Sequence, residues 1–178
     1  ETDVFLPLEE RAALADTSGA AAFVSIHLNT SSSPEVRGIE TYYNEQKALS
    51  AQRALQARWA LPAGAVQDRR GRWLADCLQR HVCLTTGAES RGIKQKNYAV
   101  VSQTHIPAAL VECGFLTHPG EKQKLTDAAY QRQLVRGLAA GLSSFLKGHL
   151  PSPGHGVQAT LASPLPAAAD TEVPEKAP

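Results

Sequence analysis

The stretch AALVECGF, residues 108–115, sets four apolar residues, Ala108, Ala109, Leu110 and Val111, in front of a single acid. A short, continuous apolar run reads as a strand buried on both faces. Such strands belong to sheets covered by helices on their two sides. Glu112 is then a carboxylate placed at the rim of the core. An uncompensated buried charge costs several kcal/mol, so the rest of the chain has to supply a partner for it.

Working outward from this strand, AAFVSIHL (21–28) has the same character and is expected to be buried on both faces. GIETYY (38–43) is a second strand with alternating apolar positions, and NTSSSPE (29–35) is a loop by composition. NYAVV (97–101) reads as a further short apolar strand, paired in style with AALVE (108–112). Helical spacing marks LEERAALADTS (8–18), with Glu9 and Glu10 in its first turn and Gly19 as its stop. RWLADCLQRHVCL (72–84) places Leu74, Cys77, Leu78 and Val82 on one side. EKQKLTD (121–127) starts another helical stretch after Pro119 and Gly120. AAYQRQLVRGLAAGLSSFLK (128–147) carries Leu134, Leu138, Leu142 and Phe145 as a buried stripe. Residues 44–69 have helical spacing through Ala48, Leu55 and Trp59, ended by Pro62 and Gly64. Strands alternating with helices indicate an α/β fold, at least partly parallel.

The 178 residues are 43% apolar, enough for one domain with a core. That domain is read as residues 1–149. Residues 150–178 are rich in Pro and Ala with few large apolar side chains, the composition of a disordered tail. A formal net charge of +1 gives no electrostatic footprint for nucleic acid, and no apolar run approaches membrane-spanning length. Three cysteines, Cys77, Cys83 and Cys113, are read as free thiols. The chain holds no methionine and opens with ETDVF. It is therefore expected to be a shortened piece of a longer protein.

His27 and Glu112 each close a strand. In α/β sheets ligands gather beyond the carboxyl ends of the strands. If the two strands are parallel neighbours, an imidazole and a carboxylate share one crevice, a pair suited to a metal site or to general acid–base work. The plainer alternatives are a hydrogen-bonded structural histidine and a structural acid paired with Arg91 or another base. Spacing leaves both open.

The local sequences go further. FVSIHLNTS (23–31) followed by GIETYY, RGIKQKNYAVV (91–101), and IPAALVECGFLTHPGEKQKL (106–125) with its VE-x-GFL-x-x-P pattern resemble the zinc-dependent N-acetylmuramoyl-L-alanine amidases. DVFLPLEERAALADTSGA (3–20) is similar to the segment that leads into the family's SIH strand. The resemblance runs collinearly from about residue 1 to 147. It implies one Zn2+ held by His, Glu and His, with a water completing the site. It places the last zinc ligand on His27 and the catalytic acid/base on Glu112. The implied reaction is hydrolysis of the amide between N-acetylmuramic acid and L-alanine in peptidoglycan. Zinc would lower the pKa of its water to roughly 7. A carboxylate beside it would take the proton and pass one to the leaving amine.

The other two ligands are expected on a GHGG-type turn and on the helix after it, and neither occurs here; GHG at 154–156 is read as coincidence. The resemblance implies an α/β fold with a mixed, mostly parallel sheet flanked by helices, expected here without its first strand and helix, with an unpaired edge and exposed apolar surface. Residues 44–70 are read either as a lid over the zinc or as a plain surface excursion. Asn29 and Arg37 flank the crevice as sugar or peptide contacts, or as loop residues facing solvent. His105 and His118 are alternative ligands near Glu112, and His81 and His149 are structural or solvent-facing. The expected partners are peptidoglycan and a regulatory activator protein, in the periplasm or outside the cell. The competing readings are a non-catalytic remnant that binds glycan or a partner, and a zinc peptidase that cuts between amino acids.

Overall fold

In the computed structural model, which describes residues 5–45 and 69–148, four strands form one sheet. At one edge lies β1 (Phe23–Asn29). Beside it is β4 (Ala108–Phe115), then β2 (Ile39–Tyr43), and β3 (Ser90–Gln95) closes the other edge. β1 runs parallel to β4 and β2 parallel to β3, while β2 and β4 are antiparallel. The sheet is thus mixed and mostly parallel, as the sequence leads one to expect.

Among the described residues five helices flank it: α1 (Leu8–Thr17), α2 (Arg69–Thr86), α3 (Ala99–Ser102), α4 (Pro119–Thr126) and α5 (Ala128–Leu146). Alternation along the strands divides the core. Ile39 and Tyr43 of β2 and Ala109, Val111 and Cys113 of β4 face Leu74, Cys77, Leu78 and Val82 of α2 and Leu134, Leu138 and Phe145 of α5. On the opposite face, Tyr42, Ala108 and Leu110 pack with Val100 and Val101 of α3 and with Phe23. The α2 stripe recurs at steps of three and four, the spacing that keeps side chains on one helical face. α5 begins where the Asp127 side chain accepts the backbone N–H groups of Ala129 and Tyr130. It crosses α2 at Gly137 and Gly141, where a Cβ would lie 2.7 Å from Val82 Cα and 2.8 Å from Leu78 Cα.

Two polar groups, Gln79, which is buried, and Glu121, which is half-buried, tie elements together. Gln79 of α2 accepts a hydrogen bond from Thr41 Oγ1 (2.7 Å) and donates to Ile39 O (2.7 Å) and Ser90 Oγ (2.9 Å). Glu121 in the first turn of α4 accepts the Gly38 N–H (2.8 Å) and the Phe115 N–H (2.7 Å), joining the start of β2 to the end of β4.

Three expectations change. NYAVV is not a strand: Ala99–Ser102 is a single helical turn, with Val100 and Val101 buried. A run so short carries no period, and tertiary packing decides its state. The third strand instead lies at Ser90–Gln95, a polar segment in which Ile93 alone is apolar. An edge strand can be this polar because much of it faces water. β1 is apolar but not buried on both faces. Among the described residues it pairs with β4 alone, and Ile26 is 61% exposed. The three cysteines are free. Among the described residues no helix is long and apolar enough to cross a membrane. The expected helix in 44–69 falls almost wholly, and the tail from residue 150 falls entirely, outside the described residues.

Candidate acid–base site at the strand ends

His27 of β1 pairs in register with Glu112 of β4, and Glu112 pairs in turn with Glu40 of β2. Partners directly across neighbouring strands project to the same face of a sheet. Imidazole, carboxylate and carboxylate therefore stand in a row across three strands. After Glu112 the pairing shifts: Asn29 lies opposite Phe115, so β4 spends one extra residue there. Gly114 absorbs the irregularity with φ +139°, a conformation that side-chain-bearing residues rarely adopt.

His27 is half-buried, and its Nε2 lies 2.9 Å from Ser25 Oγ. Glu112 is half-buried within an otherwise buried strand. Its charge is felt by its neighbours. Burial first, and then the Glu112 and Glu40 carboxylates, push the Tyr98 phenol above its ordinary range. Burial and then Glu112 push the Cys113 thiol up to about 12, so Cys113 stays a protonated core residue. The Tyr98 ring packs edge-on against Tyr42, with centroids 5.1 Å apart, and Tyr98 is 42% exposed.

Glu40 is the residue that sequence reading missed. It is only 3% exposed. Oε1 accepts hydrogen bonds from Asn29 Nδ2 (2.9 Å) and the Tyr42 hydroxyl. Oε2 accepts from Arg91 Nε (2.8 Å) and Lys94 Nζ (2.6 Å). Burial alone would raise its pKa, but the bonds from Lys94, Tyr42 and Arg91 outweigh burial and hold it below the ordinary carboxylate value. Burial first, and then the same carboxylate, drive the Tyr42 phenol strongly upward. A signal was present: GIETYY sets a lone acid inside an apolar strand, the same anomaly that Glu112 raises.

The remaining candidates lie elsewhere or serve the frame. Arg91 pairs with Glu40 and stacks over Phe115, 5.2 Å from the ring centroid. Asn29 turns inward to Glu40, whereas Arg37 pairs with Glu89 at 3.0 Å on the exposed surface. His105 is tied to Asp16, which also accepts the His105 N–H and the Thr104 hydroxyl and so anchors α1. His118 caps α4 by accepting the Glu121 N–H (3.2 Å). His81 lies on α2, and His149 falls outside the described residues.

The described residues do not by themselves make a zinc centre. Catalytic zinc takes three protein ligands, and among the described residues no three His, Cys, Asp or Glu side chains are grouped to hold a metal ion. His27 and Glu112 are an imidazole and an acid in register, and the donor set ends there.

The α/β sheet brings an imidazole and a carboxylate side by side in the carboxyl-terminal halves of two parallel strands, the side on which such sheets bind ligands. The family model for N-acetylmuramoyl-L-alanine amidase matches residues 1–144, and the chain belongs to that family. Among curated relatives, the N-acetylmuramoyl-L-alanine amidase LytC of Bacillus subtilis is 27% identical over 145 residues, covering 82% of this chain and 25% of LytC. The chain spans 60% of the first curated relative it matches, so the comparisons concern part of those proteins. Among solved structures, an N-acetylmuramoyl-L-alanine amidase from Clostridium difficile 630 is 34% identical with a TM-score of 0.67, covering 82% of this chain and 68% of that one. The CwlD amidase from Clostridioides difficile, solved in complex with the GerS lipoprotein, is 25% identical with a TM-score of 0.64, covering 79% and 62%.

Proposed function

We propose that this chain carries the acid–base glutamate, Glu112, and one histidine ligand, His27, of a peptidoglycan amidase. Its reaction is hydrolysis of the amide between N-acetylmuramic acid and L-alanine. The observation that carries the reading is the in-register pairing of His27 with Glu112 across parallel strands, inside a fold whose family is named for this reaction. Glu112 removes a proton from the attacking water and returns one to the departing amine. A single carboxylate can perform both transfers because the proton it gains in the first step is the one it gives in the second. The half-buried setting lets it meet water while the apolar strand behind it fixes its position.

The zinc that the resemblance implies needs two donors from outside the described residues in addition to His27, so no proton step is assigned to it. Residues 1–149 form the amidase domain, and 150–178 a tail. Peptidoglycan is the substrate, an activator protein is a partner, and the site of action is outside the cytoplasmic membrane. Support for the activator comes from the amidase CwlD, which was solved with a lipoprotein.

The incomplete donor set favours one second reading, a non-catalytic remnant that binds peptidoglycan or a partner. One experiment separates the two. The purified chain is titrated with zinc, and release of intact stem peptide from muropeptides is followed. The chain alone is expected to bind zinc weakly and release peptide slowly, and Glu112→Gln to lower that release by about 100-fold or more. Release by Glu112→Gln equal to that of the unaltered chain would refute the role of Glu112. No release at all, with muropeptide still bound, would favour the second reading.

A further inference from the structure

Glu40 is buried, but the two cations on it are not: the Arg91 side chain is 32% exposed and that of Lys94 36%. One cation is sufficient to neutralise one carboxylate, and here there are two. The ammonium of Lys94 has three donors and the guanidinium of Arg91 has five. Glu40 takes one from each, through Lys94 Nζ and Arg91 Nε. Arg91 Nη1 reaches the Arg37 carbonyl at only 3.5 Å. Donors therefore remain on the solvent side of both heads.

Their location gives this charge a use. Both side chains come from β3, the strand next to β2, and meet Glu40, which pairs directly with Glu112. The Arg91 guanidinium carbon lies 5.2 Å from the centroid of the Phe115 ring, and Lys94 Nζ lies 5.9 Å from that of Tyr42. Two cationic heads are thus fixed one strand away from the acid, before any ligand arrives. Preorganised charge of this kind selects an anion without the entropic cost of ordering long side chains. A carboxylate fits a guanidinium edge and an ammonium together.

We propose that Arg91 and Lys94, anchored on Glu40, are specificity-determining residues that take a carboxylate on the peptide arm of the substrate. The proposal rests on the peptidoglycan reading above. It adds that the crevice prefers a free carboxylate to its amide on the residue after L-alanine.

The test uses the full chain with chelator present, so that nothing is turned over. The probes are a soluble muramoyl dipeptide whose second residue carries a free carboxylate, and the same compound as its carboxamide. Dissociation constants are measured by titration calorimetry. The free acid is expected to bind about tenfold tighter than the amide, the factor one charge-assisted hydrogen bond commands. Lys94→Gln should remove most of that preference, and Lys94→Arg should retain it. A lost preference in Lys94→Gln with an unchanged unfolding midpoint distinguishes recognition from a structural defect; Arg91→Gln is the second variant should Lys94→Gln not fold. Equal binding of acid and amide by the unaltered chain, or a preference intact in both Gln variants, overturns the subsite and leaves the amidase reading standing. Failure to bind either compound removes the peptidoglycan reading and the subsite with it.

Discussion

Adding one methyl group at the crossing of α2 and α5 is expected to destabilise the fold, against the local preference of the helix. Gly141 and Gly137 lie one turn apart on the face of α5 that meets α2. A Cβ at Gly141 would stand 2.8 Å from Leu78 Cα and 2.9 Å from the Cys77 carbonyl oxygen. At Gly137 it would stand 2.7 Å from Val82 Cα and 3.1 Å from the His81 carbonyl oxygen. These obstacles are backbone atoms of a helix whose Leu74, Cys77, Leu78 and Val82 are fully buried, so no side chain can swing aside. Glycine to alanine inside a helix is worth about 1 kcal/mol in favour of alanine. Overpacking a filled interface costs about 1–3 kcal/mol, and an obstacle made of backbone belongs at the upper end. Gly141→Ala should therefore lose roughly 1–2 kcal/mol net. In urea, with a slope of about 2 kcal/mol per molar, the midpoint should fall by about 0.5–1 M at unchanged slope. Ala139→Gly, at an exposed position of the same helix, calibrates the propensity term on its own. A Gly141→Ala midpoint at or above that of the unaltered protein would refute the argument, because the glycines would then not set the distance between the helices.

Gln79→Leu keeps the approximate volume but leaves Thr41 Oγ1, Ile39 O and Ser90 Oγ without their partner, and is expected to cost about 2–4 kcal/mol in thermal or urea unfolding. Glu121→Ala frees the Gly38 and Phe115 amides together, so hydrogen exchange at those two positions should accelerate well beyond exchange in α2. The Glu40 carboxyl is held below its ordinary value of 4.5 in the folded protein, so the unfolded chain binds its proton first. The stability Glu40 contributes is present above pH 4.5 and is lost as pH falls through its lowered folded pKa. Urea midpoints measured between pH 7 and pH 3 should fall more steeply for the unaltered protein than for Glu40→Gln, and parallel curves would sink the assignment.

Most of the fold was legible because its long elements carry a period. α2 and α5 announce themselves through Leu74, Leu78 and Val82 and through Leu134, Leu138 and Phe145, and β4 through an unbroken apolar run. What stayed hidden lacks a period or depends on neighbours. Val100 and Val101 belong to a four-residue helix, too short for any periodicity to show. The apolar residues of β1 state a preference for burial, but exposure depends on what packs beside the strand, and that is not written in the strand. The site was half legible. His27 and Glu112 stood out as polar groups closing apolar strands, and the register of β1 with β4 brings them together. Glu40 was passed over because its partners Asn29, Arg91 and Lys94 are 11, 51 and 54 residues distant, on strands whose places in the sheet only the strand order reveals.

The strand that the sequence concealed is the one the site depends on. Glu112 and Glu40 face each other across an antiparallel pair, and like charges directly opposite are destabilising. Two carboxylates at the rim of a core persist there only if cations are brought to them. β4 spends its remaining positions on the core, and the cations come from the far edge of the sheet. β3 reads SRGIKQ, polar enough to pass for a loop, because it delivers Arg91 and Lys94 to Glu40. Its polarity is both the reason it was overlooked and the reason the row His27–Glu112–Glu40 can exist. Neutralising the inner carboxylate from β3 leaves Glu112 as the acid of the row that stands half-open to solvent, the setting that the proposed proton-transfer role requires.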